Sequence, residues 1–336
     1  MLATSDTPDY QIRARLCARS ARAALYAERM TDRLMLLDTA SLYFRAFFGV
    51  PDRVKAPDGS SVNAVRGLLD IVAKLITMYQ PTHVIACWDD DWRPQWRVDL
   101  IPSYKAHRVL EVVQSAPDVE EVPDPLQQQI PLIREALGAL GIPIIGAAEH
   151  EADDVIGTLA TDADMPVDIV TGDRDLFQLI DDPRDVRVVY TARGMSNLEV
   201  WTEATVVAKY GILPSQYADF ATLRGDASDG LPGVKGIGEK TAATLLQAHG
   251  DLEGVRSAAA SGQLSATASA RFADAADYLD VAQTVVRVAT QLDVAAPGTA
   301  LRALDPVEAD AADHLAEQWN LGTAMTRAVA ALASRG

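Results

Sequence analysis

The chain has 336 residues, 30 basic against 47 acidic, and a net charge of −17. With 49% hydrophobic and 23% charged residues its composition is ordinary for a globular protein, and a chain of this length buries a core without staples. Two cysteines, Cys17 and Cys87, exclude a disulfide scaffold and a multi-cysteine zinc site. The acidity, taken alone, argues against nucleic acid as a partner, because such partners usually meet a basic footprint.

Residues 1–33 carry scattered arginines and no apolar signal core, which predicts a poorly ordered N-terminal extension. An Ala/Arg-rich helix over 11–30 is the alternative, with Met30 and Met35 as alternative starts. No apolar run approaches the roughly 18 residues that cross a bilayer, so no membrane partner and a cytoplasmic protein are expected. An apolar strand, Leu34–Leu37, runs into Asp38, and a helical pattern spans Ser61–Tyr79. A second strand, His83–Trp88, runs into Asp89, Asp90 and Asp91. A Pro-bounded helix is expected over Leu126–Leu140, then Ile142–Ile145, then a helix from Glu149 to Ala163. Strands follow at Val167–Thr171, ending in Gly172 and Asp173, and at Val186–Tyr190. This alternation predicts an α/β fold with a mostly parallel central sheet flanked by helices over 34–212. From 213 to 336 the pattern is helical with Gly-rich breaks, the mark of a smaller helical module.

Three of the strands end in Asp, and ligands of open parallel sheets bind outside the strands' carboxyl ends. One such Asp is a common helix cap. Here the pattern extends to Glu151-Ala152-Asp153-Asp154, Asp173-Arg174-Asp175 and Gly225-Asp226-Ala227-Ser228-Asp229. Glu151 and Asp154 share a helix face with Asp153 beside them, and carboxylates so close resist joint ionisation. An acidic helix N-terminus explains one cluster but not all of them. Oxygen donors without Cys or His favour Mg²⁺ or Mn²⁺, and many carboxylates around two ions suit phosphodiester hydrolysis. There is no Walker A loop and no strand-borne GxGxxG.

Between these acids, residues 92–108 hold Arg93, Arg97, Lys105 and Arg108 against Asp99 alone. Such cations can grip phosphates and offset transition-state charge. Trp88, Trp92 and Trp96 recur every four residues, which packing explains and stacking on an unpaired base also explains. The acidic stretch Leu110–Pro125 reads as a solvated loop. Further on, Asp226–Asp229 leads into Gly233-Val234-Lys235-Gly236-Ile237-Gly238-Glu239-Lys240-Thr241. A Gly-Ile-Gly turn opening a helix exposes N–H groups to phosphate, with Lys235 and Lys240 beside it. Such a helix–hairpin–helix, over about 226–249, grips duplex backbone without reading sequence.

Taken in order, Leu36-Leu37-Asp38-Thr39-Ala40-Ser41, Tyr104-Lys105-Ala106-His107-Arg108, Glu151 through Ala160, Thr171-Gly172-Asp173-Arg174-Asp175 and Gly225 through Thr241 are highly specific. On these motifs the chain resembles the 5′-nuclease (flap endonuclease) family over residues 34–300, in particular the 5′→3′ exonuclease domain of bacterial DNA polymerase I and its stand-alone relatives. No polymerase domain follows, so the resemblance implies a free-standing nuclease. It implies a PIN-like α/β core with an arch near 92–125 and a helical DNA-binding module. It places Asp38, an acid after the second strand, Glu151, Asp153 and Asp154 on a first Mg²⁺ or Mn²⁺, and Asp173, Asp175, Asp226 and Asp229 on a second. Strand phase favours Asp89 as that acid, while counting back from Arg97 favours Asp90. Lys105 and Arg108, with Arg97 nearby, are implied at the scissile phosphate, alongside Asp38, Asp173 and Asp175 as catalytic acids. Arg93, Arg97, Lys105, Arg108, Gly233, Lys235, Gly236, Ile237, Gly238, Lys240 and Thr241 are implied to bind DNA. A monovalent cation such as K⁺ is implied on the hairpin carbonyls. Implied substrates are DNA with 5′ flaps, nicks or gaps and RNA–DNA hybrids, handled by a monomer beside a DNA polymerase or ligase.

The readings left open by the residues are a silent binder of branched DNA, a metal-dependent ribonuclease and a phosphatase with Asp38 as nucleophile. The net charge itself changes meaning in this light. Eleven of the 47 acids stand in the clusters named above, so the acidity is concentrated at one proposed site.

Overall fold

Strand β1 (Leu34–Asp38) is buried along its whole length, as a central parallel strand covered on both faces must be. The computed structural model describes residues 32–111, 118–295 and 298–334. The expectations for residues 1–31, Cys17 and Met30 among them, and for 112–117 of the acidic loop lie outside the described residues. Helix α1 (Thr39–Gly49) begins directly after β1, with Asp38 as its N-cap accepting from the Ser41 N–H at 3.1 Å. This helix is absent from the sequence expectations. Helix α2 (Asn63–Tyr79) is fixed at its start by buried Asn63, whose amide donates to the carbonyls of Phe47 at 2.8 Å and Val50 at 3.0 Å.

Strand β2 (His83–Cys87) is followed by α3 (Gln95–Leu100), a short antiparallel hairpin of β3 (Val109–Glu111) and β4 (Val119–Glu120), and α4 (Asp124–Gln127). Helix α5 (Ile130–Ala139) is separate from α4. The helix expected over 126–140 is thus broken at Gln129, whose side chain leaves to cap Ala64 at 2.8 Å. Strand β5 (Ile144–Ile145) precedes α6 (Ala152–Asp162). That helix starts three residues later than expected, because Glu149 adopts φ 58° and Glu151 is the cap. Strands β6 (Val167–Thr171) and β7 (Val186–Tyr190) match their sequence ranges, and β8 (Glu199–Trp201) adds an antiparallel edge that the sequence reading missed.

The six strands stand in the order β5-β2-β1-β6-β7-β8, all parallel except β8. Alternate residues separate the faces. Met35 and Leu37 join the core under α1, α2 and α5, while Leu34 and Leu36 join the one under α6. Chain progression reverses between β1 and β6, and the crevice outside their carboxyl ends is the topological switch point.

Helices α7 (Glu203–Tyr210), α8 (Tyr217–Arg224), α9 (Glu239–His249), α10 (Leu252–Ala260), α11 (Ala266–Asp274) and α12 (Ala276–Val286) follow. Helices α13 (Pro306–Gln318) and α14 (Thr323–Ala333) do not stay with them. Helix α14 packs on α2, and Met325, Ala328 and Leu332 close the core on that side of the sheet. Arg327 reaches Asp70 of α2 at 2.6 Å. The helical segment 213–336 is therefore not one module, and its last two helices complete the α/β core. No helix among the described residues is long and apolar enough to cross a membrane.

Fully buried Met325 makes the dependence measurable. Met325→Ala should cost about 2–5 kcal/mol in urea unfolding; a loss under about 0.5 kcal/mol, the surface range, would contradict the packing.

Candidate active site: an acid-lined cleft

The switch point opens into a cleft of about 440 Å³ lined by Asp38, Asp89, Glu120, Glu151, Asp153, Asp173 and Asp226, with Lys105, Arg108 and Arg174. A smaller recess of about 20 Å³ continues it past Glu151 and Asp153 to Asp175 and Asp229. The acids arrive from several elements, Glu151 and Asp153 together from the start of α6. Asp38 ends β1 and accepts from the Thr171 hydroxyl at 2.6 Å. Asp89 lies two residues past β2 and accepts from the Ala152 N–H at 2.8 Å, so the start of α6 holds it. Asp153 sits in the first turn of α6. Asp173 follows β6 and accepts from the Asp175 N–H at 2.9 Å. Asp226 and Leu231 exchange backbone hydrogen bonds at 3.0 and 2.8 Å, which pins the acid loop to the hairpin.

So many carboxylates cannot all stay ionised at their usual acidity. Burial pushes the Asp38 carboxyl up to about 7, against the Thr171 hydrogen bond and with help from the Asp89 charge. Burial, partly offset by Lys105, takes Asp229 to about 6. Burial and neighbouring acids raise Asp153 and Asp175 well above the carboxylate range. Asp89 is raised by burial against the Ala152 N–H.

The cations reach the cleft on a strap of chain from 92 to 111. Lys105 adopts φ 46° and its ammonium pairs with Glu151. Arg108 donates to the Ser228 carbonyl at 2.8 Å and lies 3.4 Å from Asp229. Tyr104, named only within a motif, donates its hydroxyl to Glu151 at 2.6 Å.

Several expected site residues are placed elsewhere. Arg97 is 3% exposed and bonds Glu151 at 2.9 Å, both oxygens of Asp154 at 2.8 and 2.7 Å and the Val285 carbonyl at 3.1 Å. It has no surface to offer a phosphate. Asp154 is turned from the cleft by the same bonds and by the Ala289 N–H at 2.8 Å. Burial would raise its carboxyl, but the Arg97 guanidinium outweighs that and holds it low. Arg93 is likewise buried, pairing with Asp118 and donating to the Tyr104 carbonyl at 2.6 Å, so it shapes the strap rather than touching DNA. Asp90 is exposed and turned toward Gly146, outside the cleft, which leaves Asp89 as the strand-end acid facing it. Trp88 packs in the core, Trp92 lines the cleft, and Trp96 lies by His150. Two charged cleft residues are absent from the expected site: Arg174, inside the quoted Asp173–Asp175 motif, and Glu120, inside the stretch expected as a solvated loop.

The hairpin stands beside the acid loop. Lys235, Gly236, Gly238, Lys240 and Thr241 are exposed, and Gly238 caps α9. Gly233 has φ 65°, and a Cβ there would lie 2.4 Å from the Gly225 nitrogen, so only glycine fits. Ile237 departs from expectation. Its side chain is buried and its N–H donates to the Val234 carbonyl at 2.9 Å, so it anchors the turn instead of meeting phosphate. Arg224 joins the two parts, reaching Asp226 at 2.9 Å and Glu239 at 3.2 Å.

Among the described residues no three acidic side chains close on one point as a metal cage. The donor chemistry nonetheless fits a hard, largely hydrated cation held by one or two carboxylates at a time. The acids of the cleft outnumber its lysine and arginines, and such a cation would supply the missing counter-charge.

A mostly parallel α/β sheet thus presents an acid-lined cleft at its strand ends beside an attached hairpin module. Residues 33–211 match the 5′-3′ exonuclease N-terminal resolvase-like domain, and residues 212–309 match the 5′-3′ exonuclease C-terminal SAM fold. The chain is 56% identical over 300 residues to a 5′-3′ exonuclease of Streptomyces coelicolor, covering 89% of this chain and 99% of that one. It is 52% identical over 275 residues to a 5′-3′ exonuclease of Mycobacterium tuberculosis, covering 79% and 86%. DNA polymerase I of Mycobacterium bovis is 44% identical over 229 residues, which span 67% of this chain and 24% of that protein. The chain belongs to the 5′-3′ exonuclease family and is a hydrolase. Solved structures share the fold at low identity. T5 5′-exonuclease with bound divalent metal ions aligns at TM-score 0.58 and 15% identity over 89% of this chain and 99% of that one. The catalytic core of Rad2 in complex with DNA substrate aligns at 0.56 and 16% over 91% and 92%.

Two outcomes follow from this geometry. Arg97→Ala leaves buried Asp154 without its cation and Glu151 with Lys105 alone, and should destabilise the fold by about 3–5 kcal/mol in urea titration; an unchanged midpoint would contradict the buried pairing. The raised carboxyls of Asp38 and Asp229 contribute stability below their unfolded value and lose it as pH rises through about 6 to 7. In chelator, Tm should therefore fall between pH 5 and pH 8 and Asp38→Asn should flatten that fall, whereas a Tm rising with pH would contradict the cluster.

Proposed function

We propose that the chain is a divalent-cation-dependent, structure-selective 5′ nuclease that hydrolyses phosphodiester bonds at the 5′ ends of DNA, flaps and RNA primers included. The observation carrying this reading is that Lys105 and Arg108 enter the same cleft as the strand-end acids, beside a hairpin exposing two lysines. Asp38, Asp89, Glu151 and Asp153 would hold Mg²⁺ or Mn²⁺ on one side of the cleft, and Asp173, Asp175, Asp226 and Asp229 on the other. Ions held there would supply electrophilic stabilisation of the phosphodiester oxygens and would make a water more acidic.

The chain's own groups do the rest. Lys105 leaves Glu151 for the incoming phosphate and, with Arg108, orients it and offsets its developing charge. Tyr104 and Arg97 keep Glu151 in place during that exchange. The start of α9, with Lys235 and Lys240, holds duplex backbone without reading sequence, and the junction rather than the base order selects the cut. Substrates with flaps, nicks or gaps and RNA–DNA hybrids fit a cytoplasmic monomer acting before a ligase or after a polymerase.

The test is cleavage of a labelled 5′-flap duplex. Wild type should cut with Mg²⁺ or Mn²⁺ and stop in chelator, and Asp173→Asn should lose at least about 10²-fold in rate. Equal cutting in chelator, or flap binding without cleavage in either ion, would contradict the reading.

A further inference from the structure

The hairpin carries a charge that its own sequence does not supply. Arg271 of α11 extends over the Gly236 turn, its Nη1 3.5 Å from the Gly236 carbonyl oxygen. The approach is close enough that a Cβ built on Gly236 would lie 2.9 Å from the guanidinium carbon and 3.0 Å from Nη1. Gly236 also has φ 76°, a left-handed turn that favours glycine. Among the described residues Arg271 forms no ion pair with a carboxylate, in a chain carrying 47 acids. Lys235 and Lys240, both exposed, flank the same turn.

The resemblance implies a monovalent cation on the hairpin carbonyls. The residues present do not fit one at Gly236, because a guanidinium already faces that carbonyl and would repel a second positive charge there. A guanidinium is permanently charged, weakly hydrated and rigid, so it can serve one carbonyl and one phosphate at once.

We propose that Arg271 is the hairpin's built-in cation. It props the Gly236 turn and meets the phosphate backbone together with Lys235 and Lys240, so this hairpin grips duplex without a free monovalent metal ion. The proposal rests on the hairpin being the duplex-binding element.

The test is the affinity of a labelled blunt duplex by fluorescence anisotropy, at fixed Ca²⁺ and fixed ionic strength, in K⁺ or in tetramethylammonium. Wild type should bind within about twofold in both salts. Arg271→Gln should bind at least about fivefold more weakly in tetramethylammonium and recover part of the loss in K⁺. Arg271→Lys, which keeps the charge and loses the planar fork, should fall between, and it carries the same comparison if Arg271→Gln fails to fold. A wild type that loses about fivefold or more without K⁺ overturns the proposal, as does Arg271→Gln binding like wild type in both salts. A Lys235→Ala/Lys240→Ala variant separates the failures. If it weakens binding while Arg271→Gln does not, only this proposal falls; if it binds like wild type, the hairpin reading falls with it.

Discussion

One guanidinium decides where the acids of this protein stand. Arg97 bonds Glu151 and Asp154 at the start of α6 and the Val285 carbonyl at the end of α12, so it ties the basic strap, the α/β core and the helical region together. A buried charge of this kind is costly unless every donor is used, and here the guanidinium is met by two carboxylates and a carbonyl. Its consequence is a division of labour. Asp154 is spent on Arg97, which leaves Glu151 with an oxygen for Lys105 and leaves Asp153 to face the cleft. The geometry of the acid-lined cleft thus depends on a buried ion group at the start of α6.

Electrostatics explains the remainder. Carboxylates converging at one switch point resist ionisation, and Asp38 holds its proton to about 7. Such an arrangement is strained as a fold and useful as a site, because cations and phosphates together can neutralise what the protein leaves unbalanced. Lys105 and Arg108 provide part of that balance from the strap, and Arg224 links the acid loop to the hairpin through Asp226 and Glu239. Nine acids line the cleft and its recess, against Lys105, Arg108, Arg174 and Arg97, so the site is locally acidic while most of the net charge of −17 lies elsewhere on the chain.

Local patterns in the sequence were readable, and distant pairings were not. An apolar run ending in Asp is a local signal, so β1, β6 and β7 and the acids Asp38 and Asp173 could be placed from composition alone. Arg97 was misread because its partners lie 54 and 57 residues away, and a basic residue in a basic segment looks like a surface group until those partners are known. Arg93 with Asp118 is the same case over 25 residues. Asp89 and Asp90 were indistinguishable by spacing and are separated by the path of the chain after β2. Helices α13 and α14 announce an apolar face but not its partner, so α14 was assigned to the helical module although it packs on α2. The hairpin was legible as a motif, whereas Arg271 over Gly236 arises from a helix 35 residues downstream.

The central claim is that the strand-end acids form one divalent-cation site for phosphodiester hydrolysis. Crystals grown with Mn²⁺ and a 5′-flap duplex test it most directly through anomalous difference density. The account predicts Mn²⁺ peaks against Asp38, Asp89, Glu151 or Asp153 and against Asp173 or Asp175, with a backbone phosphate beside Lys105 and Asp154 still on Arg97. Mn²⁺ bound away from these carboxylates, or a flap whose phosphates bypass the cleft, would contradict it.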